Sequence, residues 1–451
     1  MFSIFKDRQF FTLLFTLALP IAAQNLIQFT VSAVDAIMIG SLGEIPLSAV
    51  ATANNLTFLY MVTAFGLASG CGVLAAQHFG AGNIQKVREI FAFMLKIMLG
   101  LTLVFAGLAF FAPGQVIAFV IRDPEVIAVG ASYLRILGLG YLFFGFTTAI
   151  IGMLRASKIV KVAVVVSLIS LVVNVGLNYV LIFGNFGAPA LGVQGAAIAT
   201  VSARILECII LLIYVFRVEK TLAFRPRDLA LRSKGIFKSF RRYSAPVFFN
   251  ELLWAIGNFA IGVIIGRMGR ELVAANSIAH LLAQFVTVMI FGTTAAAATM
   301  IGNTVGEGDK EKALRWAKGM LVFSFFLGVF ALILVQILRL PLISLYDISD
   351  TARMYARQIT HVVSVHMVLH SVTLVAILGT LRGGGDTRFA LIVDALFIWF
   401  FAIPLGAFLG LYLALPVWVV YIALRSEDIF KLILVVRRIT KGKWIKSVNG
   451  N

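Results

Sequence analysis

Six acidic side chains fall inside apolar stretches long enough to cross a bilayer: Asp35, Glu207, Glu251, Asp394, Glu427 and Asp428. An ionised carboxylate there costs about 3 kcal/mol, so each must be neutralised or used. Glu207 stands three residues after Arg204, and Asp428 three after Arg425, so each is expected to pair with a basic neighbour on its own helix face. Asp394 lies one turn into a span that begins after Arg388, and Glu427 adjoins Arg425, so both are expected to be partly solvated. Asp35 differs from all of these. No Lys or Arg lies within two helical turns of it, and the polar residues of its own span are neutral: Gln24, Asn25, Gln28, Thr30 and Ser32. A desolvated carboxylate without a basic partner can hold a proton or a monovalent cation reversibly near neutral pH. The competing reading is a cavity residue that only hydrogen-bonds a neighbouring helix.

Asn174 and Asn178, four apart on the fifth span, share one helical face. Two carboxamides against a carboxylate would supply oxygens for a small hard cation, or donate hydrogen bonds to the anion. Interhelical hydrogen bonding is the bland alternative. Thr200, on the sixth span, is a weaker candidate for the same group. Glu251 is a second buried carboxylate, read either as a cation site or as a counter-ion for a cationic substrate. Pro20 and Pro246 each interrupt the backbone ladder of the first helix of a copy and favour a kink there.

His366 and His370, four apart on the tenth span, could ligate zinc. No Cys, Asp or Glu near them in the chain completes a site and no HExxH motif exists, so no metal is expected and a proton relay or cavity lining is preferred. Phosphate-binding glycine loops, nucleophile elbows and kinase signatures are missing, which argues against an enzyme and against ATP-driven pumping. No cofactor is expected.

The elements that must position these groups follow from composition. With 61% apolar and 13% charged residues, the chain is an integral membrane protein. Apolar stretches recur at about 10–39, 47–77, 91–111, 126–154, 162–183, 191–216, 245–266, 273–303, 316–338, 354–381, 389–410 and 413–436, each near the 20 residues that span a bilayer. The spans fall into two copies of six. A shift of 226 residues places Pro20 on Pro246, Gly43 on Gly269, Gly80 on Gly306, Gly82 on Gly308 and Lys86 on Lys312. A shift of 227 places Asp123 on Asp350, Leu154-Arg155 on Leu381-Arg382 and Pro189 on Pro416. The expected architecture is therefore all-α, with a first lobe over 1–216, a linker over 217–244 and a second lobe with a basic tail over 245–451. An even number of spans per copy implies a pseudo-twofold axis along the membrane normal, and such duplication places a binding site at the seam. The copies have diverged, since Asp35 aligns with Ile261, Asn174 with Phe401 and Asn178 with Leu405.

Lys and Arg concentrate at the amino end, at 78–90, 155–161, 217–244, 304–318 and 382–388, and in the tail, so both termini are expected on the cytoplasmic side of a cell membrane. The net charge of +18 then faces anionic lipid and needs no nucleic acid. The linker, with Arg225-Pro226-Arg227, Ser233-Lys234-Gly235 and Arg241-Arg242, reads as an amphipathic surface segment or a flexible tether. The first span is expected to stay in the mature protein, because it contains Pro20 and Asp35 and has an equivalent in the second copy. Cys71 and Cys208 lie in predicted spans and do not suggest a disulfide scaffold.

In order along the chain, Pro20…Gln24-Asn25…Asp35-Ala36-Ile37-Met38-Ile39-Gly40, Gly80-Ala81-Gly82-Asn83, Leu154-Arg155-Ala156-Ser157, Asn174…Asn178-Tyr179, Gly187-Ala188-Pro189…Leu191-Gly192-Val193…Gly195-Ala196-Ala197 and Leu381-Arg382-Gly383-Gly384-Gly385-Asp386 resemble the multidrug and toxic compound extrusion (MATE) transporters. The resemblance implies a V-shaped pair of six-helix bundles that exports organic, often cationic, amphipathic compounds in exchange for Na⁺ or H⁺; a monomer is expected. It assigns the first-helix carboxylate to Asp35, with a cation-dependent bend at Pro20, and places Asn174, Asn178 and Thr200 near it. Glu251 matches an acidic residue of one branch, whose tenth-helix aspartate is replaced here by Ser371 beside His370. Gln24, Gln28 and Asn54 are candidates for the polar lining of a substrate cavity. The alternative within the same superfamily is a lipid-linked precursor flippase, for which a cavity rich in Arg and Lys would be needed.

Overall fold

Cap and turn residues set the boundaries of several helices among the described residues. The structure, a computed structural model, describes residues 7–231, 235–346 and 348–448; Lys6 of the basic amino end and Ser233-Lys234 of the linker lie outside the described residues. Eleven helices among the described residues are long and apolar enough to cross a membrane: α1 (Arg8–Gly40), α2 (Glu44–Gly80), α3 (Ile84–Phe111), α4 (Pro124–Ala156), α5 (Lys161–Phe183), α6 (Gly192–Val218), α7 (Ile236–Arg267), α8 (Arg270–Gly306), α9 (Lys310–Ser344), α10 (Asp350–Leu381) and α11 (Thr387–Tyr412). The twelfth expected span is divided at Ser426 into α12 (Val417–Arg425) and α13 (Glu427–Thr440). Its break coincides with the polar run Ser426-Glu427-Asp428, whose side chains start a new first turn. The protein is thus an all-α, twelve-span membrane protein built from two sets of six.

The spacing of repeated residues has local physical causes. Asn83 caps α3 by accepting from Lys86 N at 3.0 Å, and its counterpart Asp309 caps α9 by accepting from Lys312 N at 2.8 Å. The turns before these caps need left-handed backbone, which Gly82 (φ 72°) and Gly308 (φ 85°) supply in both copies. Gly43 (φ 115°) and Gly269 (φ 128°) do the same between the first and second helices of each copy. Asp123, which accepts from Glu125 N at 2.9 Å with Pro124 in the first turn, starts α4.

The helices pack into two compact units. One comprises Met1–Ala22, Ala76–Gly82 and Arg241–Asn451, the other Ala23–Ala75 and Asn83–Phe240. Two short pieces of the expected first lobe, the start of α1 and the end of α2, thus fall in the same unit as the second copy. Glycine permits both. A Cβ at Gly292 would lie 2.7 Å from Ala18 O, one at Gly80 would lie 2.0 Å from Asn303 O, and one at Gly306 would lie 1.9 Å from Gln77 O. Gln77 and Asn303 are related by the same 226-residue shift as Gly80 and Gly306, so α2 and α8 cross with each glycine against the other helix's backbone. Gly306→Ala is therefore expected to force the helices apart and to cost about 1–3 kcal/mol. Gly72→Ala on α2, where nothing lies within 4 Å, should be tolerated. Thermal unfolding of the two variants in detergent, followed by tryptophan fluorescence, checks this; equal midpoints would refute the crossing.

The linker is not a loose tether over its described part. Glu219 accepts from Thr221 N (2.6 Å), Leu222 N (3.0 and 2.9 Å) and Ala223 N (3.1 Å), closing a compact turn. Phe224 is buried with its ring 4.7 Å from Phe91 of α3, and Phe240 stands 5.3 Å from Phe93. The apolar residues among the linker's arginines hold it to α3, a pattern too short for periodicity to reveal.

Pro20 lies within a helix that runs unbroken from Arg8 to Gly40. Pro246 instead follows a π-helical turn over Phe240–Ser244, a wider turn of the kind that often interrupts α-helices at functional positions.

Candidate functional site

Helices α1, α5 and α6 bring the expected polar group together within the unit formed by Ala23–Ala75 and Asn83–Phe240. Asn178 donates through Nδ2 to Asp35 Oδ1 in a short hydrogen bond, and also to Asn174 Oδ1 at 3.3 Å. Asn174 in turn donates to Thr200 Oγ1 at 3.4 Å. Asn174 and Asn178 are buried, while Asp35 is only half-buried. The four-residue spacing on α5 puts both amides in one hydrogen-bonded group, in which Asn178 reaches the carboxylate and Asn174 reaches Thr200.

Two further features define the chemistry of this cluster. Among the described residues Asp35 is in no ion pair. Arg204 of α6, the arginine whose charge reaches this carboxylate, is committed elsewhere, with Nη1 2.8 Å from Glu207 Oε2 and Nη2 3.0 Å from Gln28 Oε1. Asn178 Oδ1 is buried and has no hydrogen-bond partner among the described residues. A buried carbonyl oxygen without a donor is costly. Placed beside a carboxylate, it is an acceptor waiting for a proton-bearing group or a hard cation.

The remaining expectations divide. Glu207 pairs with Arg204, as its spacing implied. Gln24 accepts from Arg155 Nη2 at 2.6 Å, and Gln28, besides accepting from Arg204, donates to Ser167 Oγ at 3.5 Å, so both are occupied in helix packing. Asn54 lies on an exposed face of α2. Glu251, read as a cation site or a counter-ion, is in a buried ion pair: its Oε1 accepts from buried Arg382 Nη1 at 2.6 Å. The signal was present in the repeat, because Arg382 is the counterpart of Arg155 and Glu251 that of Asn25. In both copies this arginine reaches the first helix of its own half. Asp394, expected to be partly solvated, is instead held by Lys431 Nζ at 2.5 Å and Asn250 Nδ2 at 2.9 Å, and Glu427 shares Lys431 at 3.3 Å.

Asp428 corrects two expectations. It does not pair with Arg425, whose guanidinium lies 6.0 Å from the Tyr421 ring. Its Oδ2 instead meets His366 Nε2 at 2.8 Å and His370 Nδ1 at 2.9 Å. The carboxylate absent from the sequence neighbourhood of the histidines comes from α13, 62 and 58 residues away. Such a distance leaves no trace in local spacing.

Gln77 carries a role that its sequence neighbourhood did not signal. It donates to Gly383 O at 3.0 Å and accepts from Val448 N at 2.8 Å, tying the end of α2 to the turn after α10 and to the carboxyl-terminal segment. Asp386 of that turn is fully buried between Arg438 Nε at 2.8 Å and Lys446 Nζ.

A family model described as MatE matches residues 20–180 and 246–429, one stretch in each copy. The chain is 24% identical over 96% of its length to the probable multidrug resistance protein NorM of Thermotoga maritima, covering 93% of that protein. It is 23% identical over 92% of its length to the probable multidrug resistance protein YoeA of Bacillus subtilis, covering 90%. Among solved structures, a multidrug resistance MATE family transporter of the MOP superfamily in an outward-facing conformation superposes with a TM-score of 0.87 at 19% identity, over 96% of both chains. A MOP superfamily transporter from Pyrococcus furiosus, described as having a binding pocket of reverse polarity, superposes at 0.86 and 20% identity, again over 96% of both. At these identities the structural likeness concerns the fold.

Proposed function

The chain belongs to the MatE family, and from that premise we propose that it is a secondary antiporter that exports drug-like organic compounds, often cationic and amphipathic, in exchange for Na⁺ or H⁺. The names of its relatives, multidrug resistance proteins in Thermotoga maritima and Bacillus subtilis, support the substrate class. The single observation that supports ion coupling is the half-buried Asp35 carboxylate, without an ion pair, beside the buried and unpartnered Asn178 Oδ1. Asp35 supplies the negative charge; Asn178, Asn174 and Thr200 supply neutral oxygens and orient one another through hydrogen bonds. A cation entering that group satisfies an orphaned oxygen and neutralises a carboxylate held inside the membrane, so its binding favours the state in which the group is dry. Its release leaves the anion to recover solvent. That difference between two states is what couples an ion gradient to the movement of a second solute.

The test is drug efflux from proteoliposomes containing the purified chain, driven separately by a pH step and by a Na⁺ step. One of the two steps is expected to drive efflux against a drug gradient. Efflux indifferent to both would remove the antiport reading, and binding of a lipid-linked oligosaccharide in place of drug would favour a flippase.

A further inference from the structure

Outside the proposed coupling site, one cluster among the described residues has the donor set and the convergence of a metal site. His366 and His370 lie four residues apart on α10, so their rings stack on one helical face with centroids 5.1 Å apart and an angle of 31° between planes. Both point at a single atom, Asp428 Oδ2 of α13, at 2.8 and 2.9 Å. All three donor atoms fall within 4.8 Å of one another.

The surroundings prepare this carboxylate for a ligand role. Thr373 Oγ1 donates to Asp428 Oδ1 at 3.0 Å, which fixes the plane of the carboxylate and leaves Oδ2 for the histidines. Lys431, one turn further along α13, forms its ion pairs with Asp394 and Glu427 and acts on Asp428 only through space. His366 and Asp428 are buried, whereas the His370 side chain is 24% exposed and gives the cluster its opening.

We propose that His366 Nε2, His370 Nδ1 and Asp428 Oδ2 bind a divalent transition-metal ion, with Zn²⁺ the best match to the donor set. Two imidazoles and one carboxylate satisfy the borderline-soft preference of Zn²⁺ and leave the fourth tetrahedral position to an exogenous ligand. Bonds of about 2.0–2.1 Å in a tetrahedron set donor atoms about 3.3 Å apart, so each histidine contact must open by about 0.4 Å and the two ring nitrogens, within 4.8 Å of one another, must reach the same spacing. Each ring then carries its proton on the nitrogen that faces away from the ion, and no net proton need leave if both histidines are neutral. A bound ion joins α10 to α13 by coordinate bonds. This site lies in the other compact unit from Asp35 and does not depend on the antiport reading.

The test uses the full-length chain, purified without a histidine tag and exchanged into nanodiscs, with Co²⁺ and Zn²⁺ as probes. One equivalent of Co²⁺ is expected to give the visible absorption of a tetrahedral nitrogen-oxygen site, and Zn²⁺ to displace it. His370→Asn, at the most exposed of the three ligands, is expected to abolish the spectrum with an unchanged elution profile. Thr373→Val, which frees the carboxylate to rotate, should weaken Co²⁺ binding about 10–100-fold, a loss that a merely structural hydrogen bond would not produce. Asp35→Asn should leave the spectrum intact. An octahedral spectrum, or the same tetrahedral spectrum in the His366→Asn/His370→Asn double variant, would overturn the proposal. So would Zn²⁺ failing to raise the thermal unfolding midpoint of the unmodified protein.

Discussion

Asp35→Asn is expected to abolish ion-driven efflux while the protein remains folded. The substitution keeps the size of the side chain and removes its charge. At about 4 Å and an effective dielectric constant near 20, losing one unit charge removes about 4 kcal/mol of attraction for a cation, a roughly 1,000-fold loss of affinity. If the travelling ion is a proton, the effect is complete, because an amide does not take up a proton in this pH range. Asn178→Ala tests the same group through its neutral member. It removes the donor to Asp35 and the unpartnered oxygen together, and a hydrogen bond to a charged group contributes about 1.5–3 kcal/mol. Ion dependence should therefore shift by about 10- to 100-fold without vanishing. Efflux assays in proteoliposomes over a range of ion gradients separate the two outcomes, and an Asp35→Asn protein that still concentrates drug against its gradient would end the coupling role.

Glu251→Gln is expected to destabilise the second-copy unit by about 3–5 kcal/mol, the usual result of removing one partner of a buried ion pair. Arg382 is 2% exposed, its Nη1 donates to Glu251 Oε1, and its Nε and Nη2 have no hydrogen-bond partner. Removal of the carboxylate therefore takes away the ion-pair partner of a buried guanidinium and leaves only the charge of Asp394 within electrostatic reach. The double variant Glu251→Met/Arg382→Met should recover most of the loss, because two apolar side chains of similar length avoid the desolvation of both ions. A thermal-unfolding double-mutant cycle measures this directly. Additive losses would mean that the pair is not coupled, and Glu251 would return to consideration as a free cation site.

The contrast between Asp35 and Glu251 shows how far one sequence could be read. Both are lone carboxylates in apolar spans. Asp35 stays free of ion pairs because Arg204, the arginine within electrostatic reach, is already bound to Glu207 three residues away on the same helix. Glu251 is neutralised by Arg382, 131 residues away. Local spacing predicted the first pair and could not predict the second, except through the doubled Leu-Arg motif. Asp428 follows the same rule: with Arg425 three residues away, spacing suggested a pair, but α10 presents two histidines to the carboxylate instead.

The sequence by itself determined the solvent, the twelve spans, their duplication and the Asp35–Asn178 face, because each depends on composition or on a helical period of a few residues. Only the tertiary structure decided which charges meet and which segments change unit. Those outcomes depend on helices separated by many tens of residues, on glycines that let α2 cross α8 at backbone distance, and on the order in which buried cations are claimed by competing carboxylates.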